Sequence, residues 1–128
     1  YILNMSTYSV WMPFPGMALY TATKAYVRCF SKAFAKEVAE RGVRVTAVCP
    51  AGVATDLYGL SPKWQHIGRR LGVLISPDSC ARRGLRPLWR GRRCIVPDWW
   101  NRLFVPLFFY MPDFVTRRIR RFTIRFQR

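Results

Sequence analysis

The sequence runs to 128 residues, 51% of them hydrophobic, which suits one domain with a packed core and leaves too little chain for several. Its formal charge of +16 is unevenly placed: after His66 there are fifteen arginines, no lysine, and only Asp78, Asp98 and Asp113 to oppose them. Cys29, Cys49, Cys80 and Cys94 show no CxxC or Cys/His spacing, which argues against a zinc site or a redox pair and for buried, reduced thiols in a cytoplasmic protein.

The chain opens at Tyr1 inside an apolar run, with no methionine or charged leader, as a fragment would. Tyr1 to Thr7 reads as a buried strand ending in hydroxyls, and Pro13, Pro15 and Gly16 bar regular structure after it. From about Met17 to Arg41 there is no glycine or proline. Tyr26, Phe30, Phe34 and Val38 recur every fourth residue, which predicts an amphipathic helix with that stripe as its apolar face. Gly42 is the expected left-handed stop, and Val43 to Cys49 is a second strand closed by Pro50. Strands joined through a helix of this length should be parallel, so Thr7 and Pro50 fall at the same sheet edge, where open α/β sheets take ligands.

Ala51 to Leu60 reads as a loop, and Ser61 to Gly72 as a short basic helix suited to a lid. His66, the sole histidine, has no catalytic constellation to join and is expected at the surface. Ser76-Pro77-Asp78 starts a further helix whose apolar face is Ala81, Leu85, Leu88 and Trp89, and Cys94 to Val96 is a third short strand before Pro97. Residues 97–128 form an extension distinct from the domain of residues 1–96. It holds an aromatic block including Trp99 and Trp100, then Val115, Ile119, Phe122 and Phe126 at helical spacing among six arginines. Pro106 and Pro112 interrupt the block, which is too short to cross a bilayer. Three readings of this extension stay open: a peripheral anchor on an anionic membrane surface, a basic cap on the domain, and a nucleic-acid contact. Tryptophan beside arginine favours the first and leaves nucleic acid the weakest.

Chemistry concentrates on Tyr20 and Lys24, four apart and therefore on one helix face near the ligand edge. A cation held beside a tyrosine favours its phenolate and brings it toward acid/base use. The spacing alone is weak, and its context strengthens it. Asn4-Met5-Ser6-Thr7 ends a strand, Pro13-Phe14-Pro15-Gly16 follows, Tyr20 to Lys24 spells YxxxK on a long helix, and Cys49 to Asp56 reads CPAGVATD.

In this order the residues resemble the catalytic half of the short-chain dehydrogenase/reductase family, over residues 1 to about 96. The resemblance implies a partial Rossmann-like α/β fold with a parallel sheet. It also implies an oxidoreductase that interconverts a carbonyl and an alcohol with NAD or NADP, calls for no metal, and is compatible with a homo-oligomer. By the same resemblance Tyr20 transfers the substrate proton, Lys24 activates it and holds the cofactor ribose, and Ser6 or Thr7 polarises the carbonyl. Thr7 stands thirteen residues before Tyr20, where the family has a serine. Pro50, Val53 and Thr55 would line the nicotinamide, with Ala51 in place of the usual glycine, a residue that takes positive φ only at a cost. The family's glycine-rich pyrophosphate loop, adenine-ribose strand and NNAG segment have no counterpart and belong upstream of Tyr1, so these residues alone are expected neither to hold the cofactor nor to fold well. By analogy with relatives carrying similar extensions, the substrate is expected to be small and lipophilic. A membrane-surface binding protein that kept the fold without catalysis is the other reading.

Overall fold

The computed structural model describes residues 1–12, 16–55, 61–72 and 74–103. Three strands form its sheet in the order β1 (Ile2–Met5), β2 (Val45–Val48), β5 (Cys94–Ile95). β1 pairs in parallel with β2 from Ile2 opposite Val45 to Met5 opposite Val48, and β2 pairs in parallel with β5 through Ala47 opposite Cys94. β2 is buried along its whole length, with Ala47 and Thr46 fully inaccessible. Such a strand, covered on both faces, is what a parallel sheet between helices requires. The pairing continues past the strands, since the Ser6 N–H donates to the Val48 carbonyl and the Tyr8 N–H to the Pro50 carbonyl, both at 2.8 Å.

Between these strands runs α1 (Ala18–Glu37), followed by a tight 3-10 turn at Ala39–Arg41 and by Gly42 at φ 72°. The single helix expected to reach Arg41 therefore ends four residues early, its last turn tightened. Its buried face also differs from the expected aromatic stripe. Thr21, Ser31 and Ala35 are buried, while Tyr26 is 69% and Phe30 46% exposed. Small side chains let the helix backbone lie close to the sheet, where Ala35, Val38 and Val45 form a core cluster with Phe34 and Val43 at its margin. Tyr26, Phe30 and Phe34 instead stack on one another, ring centres 6.1 and 5.3 Å apart. Ser31 has a further role: its hydroxyl accepts from the Asn4 amide at 2.9 Å, satisfying a polar residue within β1.

The opposite sheet face carries α3 (Pro77–Trp89), which packs on β1 and β2. Successive strand residues point to opposite faces. Leu3 lies against α3 and Asn4 against α1, giving a helix–sheet–helix sandwich. Gly84 makes this approach possible, because a Cβ there would sit 3.1 Å from Val48 Cγ2 and 3.5 Å from Leu3 Cδ1. The helix begins as its sequence predicts, with the Ser76 hydroxyl accepting from the Ser79 N–H at 3.2 Å and proline in the first turn. The face it buries is Cys80, Gly84 and Leu88; Leu85 and Trp89, expected inside, are 39% and 55% exposed. The presence of a glycine selected the contact line, which hydrophobicity alone does not register.

α2 (Pro62–Arg70) occupies the expected lid segment, with His66 exposed. The stretch from Ala51, expected as loop throughout, contains β3 (Gly52–Val53), which pairs in parallel with β4 (Leu74–Ile75) after α2. A 3-10 turn at Tyr8–Trp11 was likewise not anticipated. Pro13–Pro15, residues 56–60 and the extension after Leu103 lie outside the described residues, as does most of the aromatic and basic pattern. Among the described residues no helix is long and apolar enough to cross a membrane. Near the last described residues, the Tyr8 hydroxyl donates to the Asn101 carbonyl at 2.8 Å.

Candidate active site

Parallel pairing puts the ends of β1 and β2 side by side, and α1 starts above them. The elements thereby deliver Ser6 and Thr7, Tyr20 and Lys24, and Pro50, Val53 and Thr55 to one cleft of about 540 Å³. Leu3, Met5 and Val48 of the sheet and Pro77, Ala81 and Leu85 of α3 complete a mostly apolar lining.

The polar groups in this cleft differ in how committed they are. Ser6 is buried at 4% exposure, and its hydroxyl donates to the Lys24 carbonyl at 2.8 Å, fastening strand end to helix. Thr7 is buried at 8%, and its Oγ1 accepts only a long contact of 3.5 Å from the Ser9 N–H. The Thr7 hydroxyl proton has no acceptor among the described residues, so it can be given to a ligand. The Lys24 ammonium donates to the Met5 carbonyl at 3.1 Å and lies 5.9 Å from the Tyr20 ring centre. Two of its three donor positions have no acceptor among the described residues. Tyr20 is 42% exposed and stands at the cleft mouth.

The turn after β2 is made without the left-handed residue that a glycine would supply; among the described residues no non-glycine has positive φ. It is secured by a residue that sequence reasoning missed. Asp98 is buried, and its Oδ2 accepts from the Ala51 N–H at 3.2 Å. Burial raises the Asp98 carboxyl above the usual carboxylate range, opposed by the Ala51 amide, Asn101 and Arg83. The available signal was a lone acid in an arginine tract, and nothing local tied it to Ala51, 47 positions earlier. All four cysteines are free thiols, and they depart from the expected uniform burial at one position. Cys29 is exposed, and Cys49 and Cys94, remote in sequence, have sulfurs 3.9 Å apart across β2 and β5. Spacing rules detect local pairs and miss those assembled by a sheet.

Comparison with known proteins finds similarity in the first half of the chain. The family model described as short chain dehydrogenase matches residues 1–66, just over half of the chain. The chain is 48% identical over 56 residues to a 3-oxoacyl-[acyl-carrier-protein] reductase of Synechocystis sp., covering 44% of this chain and 23% of that protein. It is 30% identical over 70 residues to estradiol 17-beta-dehydrogenase 2 of Rattus norvegicus, covering 55% and 18%. To the very-long-chain 3-oxoacyl-CoA reductase of Bos taurus it is 42% identical over 64 residues, covering 49% and 20%. The matched segments thus span about a fifth of these relatives. No solved structure gave a significant match.

Proposed function

The chain belongs to the short-chain dehydrogenase family, and from that premise we propose that it is the catalytic part of an NAD- or NADP-dependent oxidoreductase interconverting a carbonyl and an alcohol on a lipophilic substrate. The observation that carries this reading is the meeting of Tyr20, Lys24 and Thr7 in one apolar cleft at the sheet edge. The cofactor, when bound, supplies or accepts the hydride.

Tyr20 holds the proton that passes to or from the substrate oxygen, and Lys24 sets a positive charge beside the phenolate left behind. Thr7 donates its hydroxyl to the same substrate oxygen, while Ser6 keeps the strand end docked on α1. The residues fit the nicotinamide-ribose end of such a cofactor. Lys24 has donors beyond the one used on Met5, and Pro50, Val53 and Thr55 offer an apolar wall with a single hydroxyl. Leu3, Met5, Ala81 and Leu85 line the cleft with apolar surface that favours an apolar substrate body.

Tyr20→Phe in the complete protein tests the mechanism. Because Tyr20 is exposed at the cleft mouth, the fold should be retained, while cofactor turnover followed by absorbance should fall by about 10²-fold or more. Undiminished turnover would remove Tyr20 from the mechanism. A second reading concerns the extension: Trp99 and Trp100 are stacked at 4.0 Å and remain 60% and 50% exposed, as groups that enter a lipid interface would be.

A further inference from the structure

Cys49 and Cys94 belong to no part of the chemistry above, yet the sheet brings them together. Ala47 stands opposite Cys94, so Cys49, two residues on, projects from the same sheet face one repeat further along. The two sulfurs are 3.9 Å apart. Cys49 is fully buried, whereas Cys94 is partly exposed on β5, which pairs only with β2 among the described residues. On α1 the Arg28 guanidinium lies 4.5 Å over the Trp11 ring, its buried Nε has no hydrogen-bond partner among the described residues, and its charge acts on both sulfurs.

We propose that Cys94 and Cys49 form a redox-active dithiol, with Cys94 as the nucleophile toward small disulfides of the glutathione type and Cys49 as the resolving thiol. In the first step the Cys94 thiolate attacks one sulfur of the small disulfide. A protein–small-molecule S–S bond forms, the original S–S bond breaks, and the electron pair leaves on the departing thiolate. That thiolate takes the Cys49 proton, and the Cys49 sulfur attacks Cys94, expelling the second small thiolate, which is protonated by the proton Cys94 had lost to solvent. One small disulfide is reduced to two thiols, and two protein thiols become one disulfide.

The groups around the pair divide the labour. The contact between the two sulfurs, with Arg28 and Lys32, holds Cys94 below the ordinary thiol range against the effect of burial. The same contact and burial push Cys49 up, opposed by the Ser6 hydroxyl and Arg28. A partly exposed cysteine with cations nearby, beside a fully buried one, is the division that attacking and resolving cysteines need. Glutathione disulfide carries net negative charge, which Arg28 and Lys32 on α1 would attract. The one-repeat offset means that closure must shift β5 along β2 against the bond from the Cys49 N–H to the Ile95 carbonyl, so the disulfide formed is expected to be strained and readily reduced.

Peptide mapping of the complete, unmutated protein tests this. In limiting iodoacetamide near pH 6, Cys94 should be labelled about tenfold or more faster than the exposed Cys29. With glutathione disulfide, a Cys49–Cys94 linked peptide should appear and vanish on adding dithiothreitol. In Cys49→Ala the reaction should stop at a glutathione adduct on Cys94, and in Cys94→Ser no adduct should form at Cys49. Equal labelling of Cys94 and Cys29, or the absence of any linked peptide from unmutated protein, overturns the proposal.

Discussion

Replacing Thr7 and Ser6 one at a time separates two hydroxyls that the sequence leaves equivalent. Thr7→Ala removes a hydroxyl whose proton has no acceptor and whose one hydrogen-bond contact is long, at 3.5 Å, among the described residues. Its stability cost should be small. If Thr7 serves the charge that develops on the substrate oxygen, loss of one such donor should lower kcat by about 10²–10³-fold, which is ~2.7–4 kcal/mol of transition-state stabilisation. Thr7→Ser keeps the hydroxyl and should stay within about tenfold of the parent. Ser6→Ala removes a bond of 2.8 Å between strand end and helix backbone, and should cost about 0.5–1.5 kcal/mol of stability. The Lys24 carbonyl retains its place in the helix, so turnover per folded molecule should change little. Steady-state kinetics and thermal unfolding of the complete protein, measured on the same three variants, resolve the two effects. The assignment is refuted if Ser6→Ala abolishes turnover at unchanged melting temperature while Thr7→Ala remains near parental activity.

Two further predictions concern Asp98 and the tryptophans. Because burial raises the Asp98 carboxyl in the folded state, its contribution to stability is fully present below the unfolded pKa of ~3.9 and is lost as pH rises through the folded value. Asp98→Asn keeps an acceptor for the Ala51 N–H, so its stability relative to the parent should rise across that window in pH-dependent thermal unfolding. A flat difference would contradict the assigned burial effect. The complete protein should co-sediment with anionic and not neutral vesicles, less so in high salt, and Trp99→Ala with Trp100→Ala should weaken binding. Binding to neither vesicle would dismiss the membrane contact.

Much of the site was legible because its order lies in local pattern. Glycine at 42, the glycine- and proline-free run before it, and the hydroxyls after β1 mark a strand–helix–strand unit. Parallel pairing then puts Thr7, Tyr20 and Pro50 at one edge. The buried faces were harder to read. Hydrophobicity pointed to Tyr26 and Phe30 on α1 and to Leu85 on α3, whereas Ser31, Ala35 and Gly84 lie against the sheet. Close approach of a helix to a sheet rewards small residues, a preference that an apolar-stripe pattern does not encode.

The sequence by itself determined the order of the elements, the family resemblance and the residue types at the cleft, since backbone period, caps and turn residues act over a few positions. Only the tertiary structure decided that Ser6 is spent on Lys24 while Thr7 keeps its proton, that Asp98 holds Ala51, and that Cys49 meets Cys94. The last two contacts join residues 47 and 45 positions apart. Ser6 and Thr7 are neighbours in the chain, but their different bonds depend on where α1 and the Tyr8–Trp11 turn come to rest against the strand end. Distances and donor commitments of this kind arise from the packing of the sheet and its helices, and no local pattern carries them.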